Sequence, residues 1–437
     1  MKNYKYLIPV GLIALMGIGV YSTVFNAAEK NTEYNDYVKK ARADAKQEII
    51  EEAEEYYAKA LKLKDTPELR MEIGNVYVAN GLTRQAVAWG EDLIDRYPEN
   101  SDAYEFLLKQ YIDQEAYAEC FSLRDQAEAR KAKSQKFDEM MRQVDYKYEF
   151  GYNSYQDVSV YSNGMCAVQE DGLWGYADME GNTKIPLQFA WAGPFSTDEI
   201  APVQDENGEF YYISGTGNKR IDLEGINGCT ALGVSVNGIF PAAAQGTYAY
   251  YDENLKKIAG DYKQASTMSG SIGAVETEDG WNLVNEKGEK ITDELFDSIV
   301  MDDKGVVFRN DRIFAEEAAK YFMLDETGKK VEKQTYDAAK IFLSKDGYAA
   351  VESGMKWGFI DKDGKMMIEP QYDDAHSFSN GYAAIKANGK WGFINTDGDL
   401  VIEPQFSEVK DFNEQGNVFV QSENQWVLLK LLRNNYK

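Results

Sequence analysis

Lys356-Trp357-Gly358-Phe359-Ile360-Asp361-Lys362-Asp363-Gly364-Lys365 returns almost verbatim as Lys390-Trp391-Gly392-Phe393-Ile394-Asn395-Thr396-Asp397-Gly398-Asp399. Each copy runs on into Ile-Glu-Pro-Gln and an aromatic residue, Tyr372 or Phe406. A fixed period constrains the fold more than any local feature, because each unit must bury its apolar face against its neighbours. One spacing defines the unit: an aromatic residue, Gly seven positions later, Phe or Tyr eight after that, and a further aromatic six later. Trp357, Gly364, Tyr372 and Phe378 fit it, as do Trp391, Gly398, Phe406 and Phe412, and Trp174, Gly181, Phe189 and Phe195. Tyr321, Gly328, Tyr336 and Phe342 obey it without the Trp-Gly pair. Trp281, Gly288 and Phe296 keep its first three positions, Phe210 with Gly217 is a weaker copy, and Tyr248 is weaker still. Successive anchors lie roughly 33 to 40 residues apart.

Trp-Gly-Phe-Ile is a short apolar run bounded by turn residues and reads as a strand. Asp-Lys-Asp-Gly reads as a hairpin turn, with Gly supplying positive φ. Met366-Met367-Ile368 is the return strand, stopped at Pro370, and Tyr382-Ala383-Ala384-Ile385 is a further strand. Each unit is a small antiparallel sheet.

The Trp174-Gly175, Trp357-Gly358 and Trp391-Gly392 pairs resemble the WG repeat family over about residues 150–437, with the pattern degraded between about 200 and 345. The resemblance implies a repetitive β domain used as an interaction module, and brings no catalytic residue with it. The structural anchors are Trp174, Gly175, Gly181, Trp281, Gly288, Trp357, Gly358, Gly364, Trp391, Gly392, Gly398 and Trp426. Tyr155 and Tyr161 have the spacing of a second half-unit, and Trp426 begins a first half. Joined, they complete about seven full units with one more split between the ends. That favours a closed β-propeller-like ring over an open stack of hairpins, since closure removes exposed sheet edges.

Residues 31–147 change character: Gly and Pro become rare, and apolar residues recur at helical spacing, as at Tyr56, Tyr57, Ala60 and Leu61. Over Pro67 to Asn100, Gly74, Tyr77, Ala86 and Pro98 occupy signature positions of the tetratricopeptide repeat, and Leu107, Tyr111 and Cys120 continue the register. Two such units flanked by helices over 31–65 and 125–147 resemble a short tetratricopeptide stack; a plain helical bundle is the alternative. Residues 6–28 carry no charge, and Leu7 to Phe25 is apolar enough to span a bilayer. Residues 1–28 therefore read as a retained membrane anchor, with a signal peptide as the alternative. Lys2 and Lys5 favour a cytoplasmic N-terminus, although Lys30, Lys39, Lys40 and Arg42 follow the run. The expectation is a single-pass membrane protein with most of the chain outside the cytoplasm. The fold class is thus α+β multidomain: a transmembrane helix, a helical solenoid and an all-β repeat ring.

Chemistry is sparse. A net charge of −26 over 437 residues disfavours nucleic acid. Cys120, Cys166 and Cys229 have neither disulfide-framework nor zinc spacing. The one histidine, His376, has Gly193, Lys340 and Lys410 as repeat equivalents and reads as a solvent-facing strand position rather than a catalytic base. The Asp361 and Asn395 loops begin like calcium loops but place Tyr372 and Phe406 where the twelfth-position Glu belongs, so they read as turns. Glu369-Pro370 and Glu403-Pro404 could pair as glycosidase acids, but their repeated placement reads as structural. No catalytic, cofactor or metal residue is assigned. The expected partners are proteins, with the membrane through the N-terminal helix and with cell-surface glycans stacked on aromatics as the alternative ligand. An enzyme site in the degraded units between 200 and 345 is a third reading.

Overall fold

The structure, a computed structural model, describes residues 29–331, 333–345 and 347–434. The chain divides into two compact units between Lys147 and Tyr148.

The first unit is helical: α1 (29–46), α2 (Ile50–Leu63), α3 (Pro67–Ala79), α4 (Thr83–Arg96), α5 (Ser101–Asp113), α6 (Tyr117–Ala129) and α7 (Gln135–Met141). The helix expected over 31–65 is broken at Glu48, whose left-handed φ of 62° ends α1. Thr66 caps α3 by accepting from Leu69 N, with Pro67 in the first turn, and Asn100 caps α5 by accepting from Ala103 N. Two helical hairpins, α3–α4 and α5–α6, follow one another, consistent with the tetratricopeptide resemblance. The small residues explain how they nest. A Cβ on Gly74 would stand 2.8 Å from the Phe106 ring, and one on Gly90 3.0 Å from Leu107. Ala86 and Cys120 are fully buried.

Arg70 is the polar anchor of this unit. It is 6% exposed, donates to Asp65 and Asp92, and lies over the Trp89 ring, whose indole N–H donates to the Arg70 carbonyl at 2.7 Å. The Arg70 hydrogen bond holds the Asp65 carboxyl below its ordinary value, and the Arg42 hydrogen bond does the same for Glu72. Arg70→Met is expected to cost about 2 kcal/mol, between the surface-pair and buried-pair ranges, because water reaches both aspartates. Since the folded pKa values of Asp65 and Glu72 are depressed, the stabilisation these two carboxylates contribute is complete above the unfolded carboxylate values and is lost as pH falls through the folded ones. The urea midpoint of the helical unit should therefore fall below about pH 4, and fall less in the Arg70 variant.

The expected single-pass membrane placement is corrected. Among the described residues no helix is long and apolar enough to cross a bilayer. The longest, α1, carries Glu29, Lys30, Glu33, Asp36, Lys39, Lys40, Arg42, Asp44 and Lys46; each charge would be costly in hydrocarbon. The stretch from Leu7 to Phe25, on which the transmembrane helix and the placement outside the cytoplasm rested, lies outside the described residues.

The second unit is an eight-bladed β-propeller. Blade 1 comprises Asp157–Val158, Met165–Glu170, Leu173–Asp178 and Thr183–Phe189; blade 2, Trp191–Ala192, Ile200–Gln204, Phe210–Ser214 and Lys219–Asp222; blade 3, Cys229–Leu232, Ile239–Ala244, Thr247–Asp252 and Lys257–Tyr262. Blade 4 has Gln264–Ala265, Ile272–Thr277 and Gly280–Asn285; blade 5, Ser298–Ile299, Ile313–Glu317 and Lys320–Leu324. Blade 6 has Ala338–Ala339, Ala349–Ser353, Lys356–Ile360 and Met366–Tyr372; blade 7, Asp374–Ala375, Tyr382–Ala387, Lys390–Asn395 and Leu400–Phe406. Blade 8 joins the two ends of the unit: Asn417–Ser422 and Gln425–Leu431 with Tyr148–Tyr155, pairing Tyr155 directly with Trp426. The ring is closed, the arrangement favoured from the spacing.

The repeat residues sit where blades need them. The aromatic anchor pairs across the sheet with the aromatic fifteen residues on: Trp174 with Phe189, Trp281 with Phe296, Tyr321 with Tyr336, Trp357 with Tyr372 and Trp391 with Phe406. The next aromatic crosses to the preceding blade, as Phe378 meets Phe359 and Phe412 meets Phe393, both at 4.9 Å. The glycine after each Trp admits the outer strand. A Cβ on Gly175, Gly358 or Gly392 would lie 2.5 to 2.6 Å from the carbonyl oxygen of Ile185, Ile368 or Ile402. At that point the outer strand bulges. The prolines do not stop that strand, contrary to expectation. It runs through Pro370 to Tyr372 and through Pro404 to Phe406. A proline is tolerated there because the strand is an outer edge and the bulge needs no ladder N–H. The turn reading of the Asp-x-x-Gly segments is realised in hydrogen bonds. Asp361 Oδ1 accepts from Asp363 N and Lys365 N, both at 2.9 Å, and Gly364 has φ of 83°. Asp178, Asn285, Asp325 and Asn395 repeat the pattern, with Gly181, Gly288, Gly328 and Gly398.

Candidate functional site: an axial cavity

In blades 1 to 7 a connection leads from the first strand to the second, and in blade 8 the segment between the Val409–Val420 bridge and Asn417 takes its place. In blades 5, 6, 7, 8 and 1 the segments at this position converge on one cavity of about 590 Å³. Blades 1 and 5 stand opposite each other in a ring of eight, so the cavity lies on the ring axis. Its volume is that of a small-molecule site. None of the repeat anchors lines it; they are consumed in blade packing.

Blade 5 contributes most of its charge. Between Ile299 and Ile313 the connection is residues 300–312, thirteen long, whereas blades 1, 4 and 7 use six (159–164, 266–271 and 376–381). The Arg309–Arg312 bridge matches the Ser162–Met165, Ser269–Ile272 and Ser379–Tyr382 bridges of other blades, so the extra residues precede Arg309. They form a fixed loop. Asp302 Oδ1 accepts from Lys304 N and Val306 N, both at 2.9 Å, and Asp302 Oδ2 accepts from Arg309 Nη2 at 3.1 Å. From blade 4, Thr267 Oγ1 donates to the Lys304 carbonyl at 2.8 Å and Thr267 N to the Gly305 carbonyl at 2.8 Å. Gly305 takes φ of 72°, which lets the loop turn back, and Val306 and Val307 are buried beneath it.

The charged side chains around the cavity fall into two groups. Asp302 is paired with Arg309; Lys340 bonds Asp374 at 3.0 Å; His376 Nδ1 lies 2.9 Å from Asp411. Lys304, Asp303 and Glu414 also line the cavity, and no ion pair within 4 Å engages any of them among the described residues. Burial, then the neighbouring Arg309 charge, pushes the Lys304 ammonium below its ordinary pKa; the Asp302, Asp411 and Asp303 carboxylates act the other way.

His376 is not the solvent-facing position expected. It is half-buried at the cavity wall, with its ring 4.9 Å from the Trp391 ring. Its equivalents do related work: the Lys340 ammonium lies over the Trp357 indole at 5.0 Å and the Lys410 ammonium over the Trp426 indole at 5.3 Å. Sequence reasoning missed Lys304 and its loop. The signal was present: the anchor spacing from Trp281 to Tyr321 is 40, the longest of the series.

The other candidates are placed outside the cavity. Glu369 and Glu403 are exposed on outer strands of neighbouring blades, at the same bulge position. Cys120 and Cys166 are buried, and burial pushes both thiols up to about 12. Among the described residues no group of three His, Cys, Asp or Glu side chains could hold a metal ion.

Comparison with known proteins agrees with the Trp-Gly resemblance. The family model "WG containing repeat" matches residues 154–174, 174–209, 357–391 and 391–426. No curated protein matches the sequence. Among solved structures, the C-terminal WD40 domain of Sif2 is similar at 9% identity, with TM-score 0.42, over 65% of this chain and 98% of that one. A eukaryotic initiation factor is similar at 11% identity, TM-score 0.42, over 66% and 88%. The WD40 domain of SCAP from fission yeast is similar at 10%, TM-score 0.38, over 65% and 98%.

Proposed function

We propose that this chain, a carrier of WG containing repeats in a closed ring, is a non-enzymatic protein-interaction scaffold. The observation that carries the reading is the outer strand of blade 8. Tyr148–Tyr155 pairs on one side only, with Gln425–Leu431, so its other edge is open. On it Phe150 is 46% exposed and Tyr152 fully so. An open strand edge with outward aromatic rings suits a partner that adds backbone hydrogen bonds and buries the rings. The helical hairpins are the second proposed docking surface. Two thiols raised by burial support a non-catalytic role. The glycan reading has less support, since Lys340, Lys410, and His376 with Lys386, occupy the faces of Trp357, Trp426 and Trp391 on which a sugar would stack.

The test is crosslinking in native cells, capture of the tagged chain and mass spectrometry, run beside a Phe150→Ser/Tyr152→Ser variant. The expected result is one stoichiometric partner crosslinked near residues 148–153 and lost in the variant. Capture of nothing above background, or the same partners from both proteins, overturns this surface.

A further inference from the structure

We propose that the axial cavity binds a small zwitterion, with its carboxylate on Lys304 Nζ and its cationic nitrogen against the Asp303 and Glu414 carboxylates. The proposal is independent of the open edge on blade 8 and concerns a different part of the ring.

Three observations carry it. First, the cavity is built by an addition to the repeat. Blade 5 departs from the six-residue connection of blades 1, 4 and 7, and the added residues bring Asp302, Asp303 and Lys304 to the axis. Second, the addition is rigid. Asp302 and Thr267 hold the backbone at Lys304 from two blades, so the loop itself need not be ordered when a ligand binds. Third, the unpaired charges are of both signs. Every other charged side chain of the lining has its partner, while Lys304, Asp303 and Glu414 have none among the described residues. A partly desolvated ammonium without a counter-ion is a destabilised group, and a ligand carboxylate would relieve it.

The charge balance selects the ligand class. A dianion such as phosphate or a dicarboxylate would meet Asp303, Asp411 and Glu414, and a bare cation would meet Lys304 and Arg309. A molecule with one carboxylate and one cationic nitrogen satisfies both sets. At about 590 Å³ the cavity has room for an amino acid or for the last residues of a peptide ending in a free carboxylate. The carboxylate and the cation are common to both sources, and the experiment separates them.

The experiment is isothermal titration of the purified chain against the twenty common amino acids, and against acetyl-Ala-Ala-Lys as the free acid and as the C-terminal amide. Succinate and putrescine serve as single-sign controls. At least one zwitterion should bind with Kd below about 1 mM, and the controls at least about tenfold more weakly, a difference near 1.4 kcal/mol. Binding by free amino acids identifies a metabolite site. Binding by the peptide acid alone, and not by its amide, identifies a peptide terminus. Lys304→Met should weaken binding at least about tenfold, Lys304→Arg less, and Glu414→Gln by a few-fold. Glu414 is exposed, so its variant keeps the test open should Lys304→Met perturb folding. Ligand should also shield Lys304 from acylation, read by peptide mass mapping. No zwitterion binding with Kd below about 1 mM, succinate binding as tightly, or binding unchanged in Lys304→Met would each overturn the proposal.

Discussion

Gly392→Ala is expected to lower the melting temperature of the ring by roughly 5–10 °C, a large effect for one methyl group. The new Cβ would stand 2.5 Å from Ile402 O, 2.6 Å from Pro404 N and 2.9 Å from the Glu403 carbonyl carbon. All three are backbone atoms, so no side-chain rotation relieves the clash. The outer strand must move instead, and the Trp391–Phe406 and Phe393–Ile402 pairs that straddle the bulge move with it. Overpacking of this kind costs about 2–4 kcal/mol. Gly389→Ala is the control. Gly389 has φ of 77° but no heavy atom within 4 Å of its Cβ position, so only left-handed strain of about 1–2 kcal/mol applies. Differential scanning calorimetry of both variants decides the matter, and equal melting temperatures would sink the close-approach account. The degraded blades show the same constraint met otherwise. In blade 3 Ala249 replaces the glycine, and the opposite strand supplies Gly260, whose own Cβ would lie 2.6 Å from that of Ala249. In blade 4 Asn282 is fully buried there and donates through Nδ2 to the carbonyls of Thr292 and Glu294 at 3.1 and 2.6 Å.

Ending the chain after Ser422 should abolish cooperative unfolding of the ring altogether. The deletion removes Gln425–Leu431, the central strand of blade 8, and leaves Tyr148–Tyr155 with no strand to pair with. It also removes Trp426, Leu428, Leu429 and Leu431, all buried. At about 1.5–3 kcal/mol each, these side chains alone approach the 5–15 kcal/mol that stabilises a typical native state. The seam between the last and first blades goes with them. Trp426 and Leu428 pack with Val158, Cys166 and Val168, and Lys430 bonds Glu180 at 2.8 Å. Circular dichroism melts and size-exclusion chromatography should show a broad transition and aggregation through the newly open edges. Adding back a peptide of residues 424–434 should restore a sharp melt. A Gly-Ser insertion between Asn388 and Gly389, in an exposed turn of blade 7, should be tolerated because every strand survives. A truncated chain that melts sharply within a few degrees of the intact one would refute closure as the source of stability.

Much of the ring was legible because its determinants are local. Asp361 to Gly364 makes its turn from its own side chain and backbone, and Trp357 meets Tyr372 within one hairpin. What was not legible depended on neighbours distant in sequence. Pro370 looked like a strand stop, and only its place on an outer bulged edge lets the strand continue. His376 looked solvent-facing, since exposure is decided by Trp391 and Asp411 rather than by its own flanks. The apolar stretch before residue 29 supported an expectation of membrane placement that no helix among the described residues shares.

The sequence by itself determined the repeat and most of its strands and turns, because period and turn chemistry act over tens of residues at most. It favoured a closed ring over an open stack, and the pairing of Tyr155 with Trp426, far apart in sequence, closes it. Only the tertiary structure decided where a ligand could sit. A thirteen-residue connection in blade 5 reads as slack in one period until the ring brings it to one cavity with blades 1 and 8. Whether Lys304 has a counter-ion depends on side chains up to about a hundred residues away in sequence that meet only at the axis. Charge pairing acts through space and leaves no period to be read.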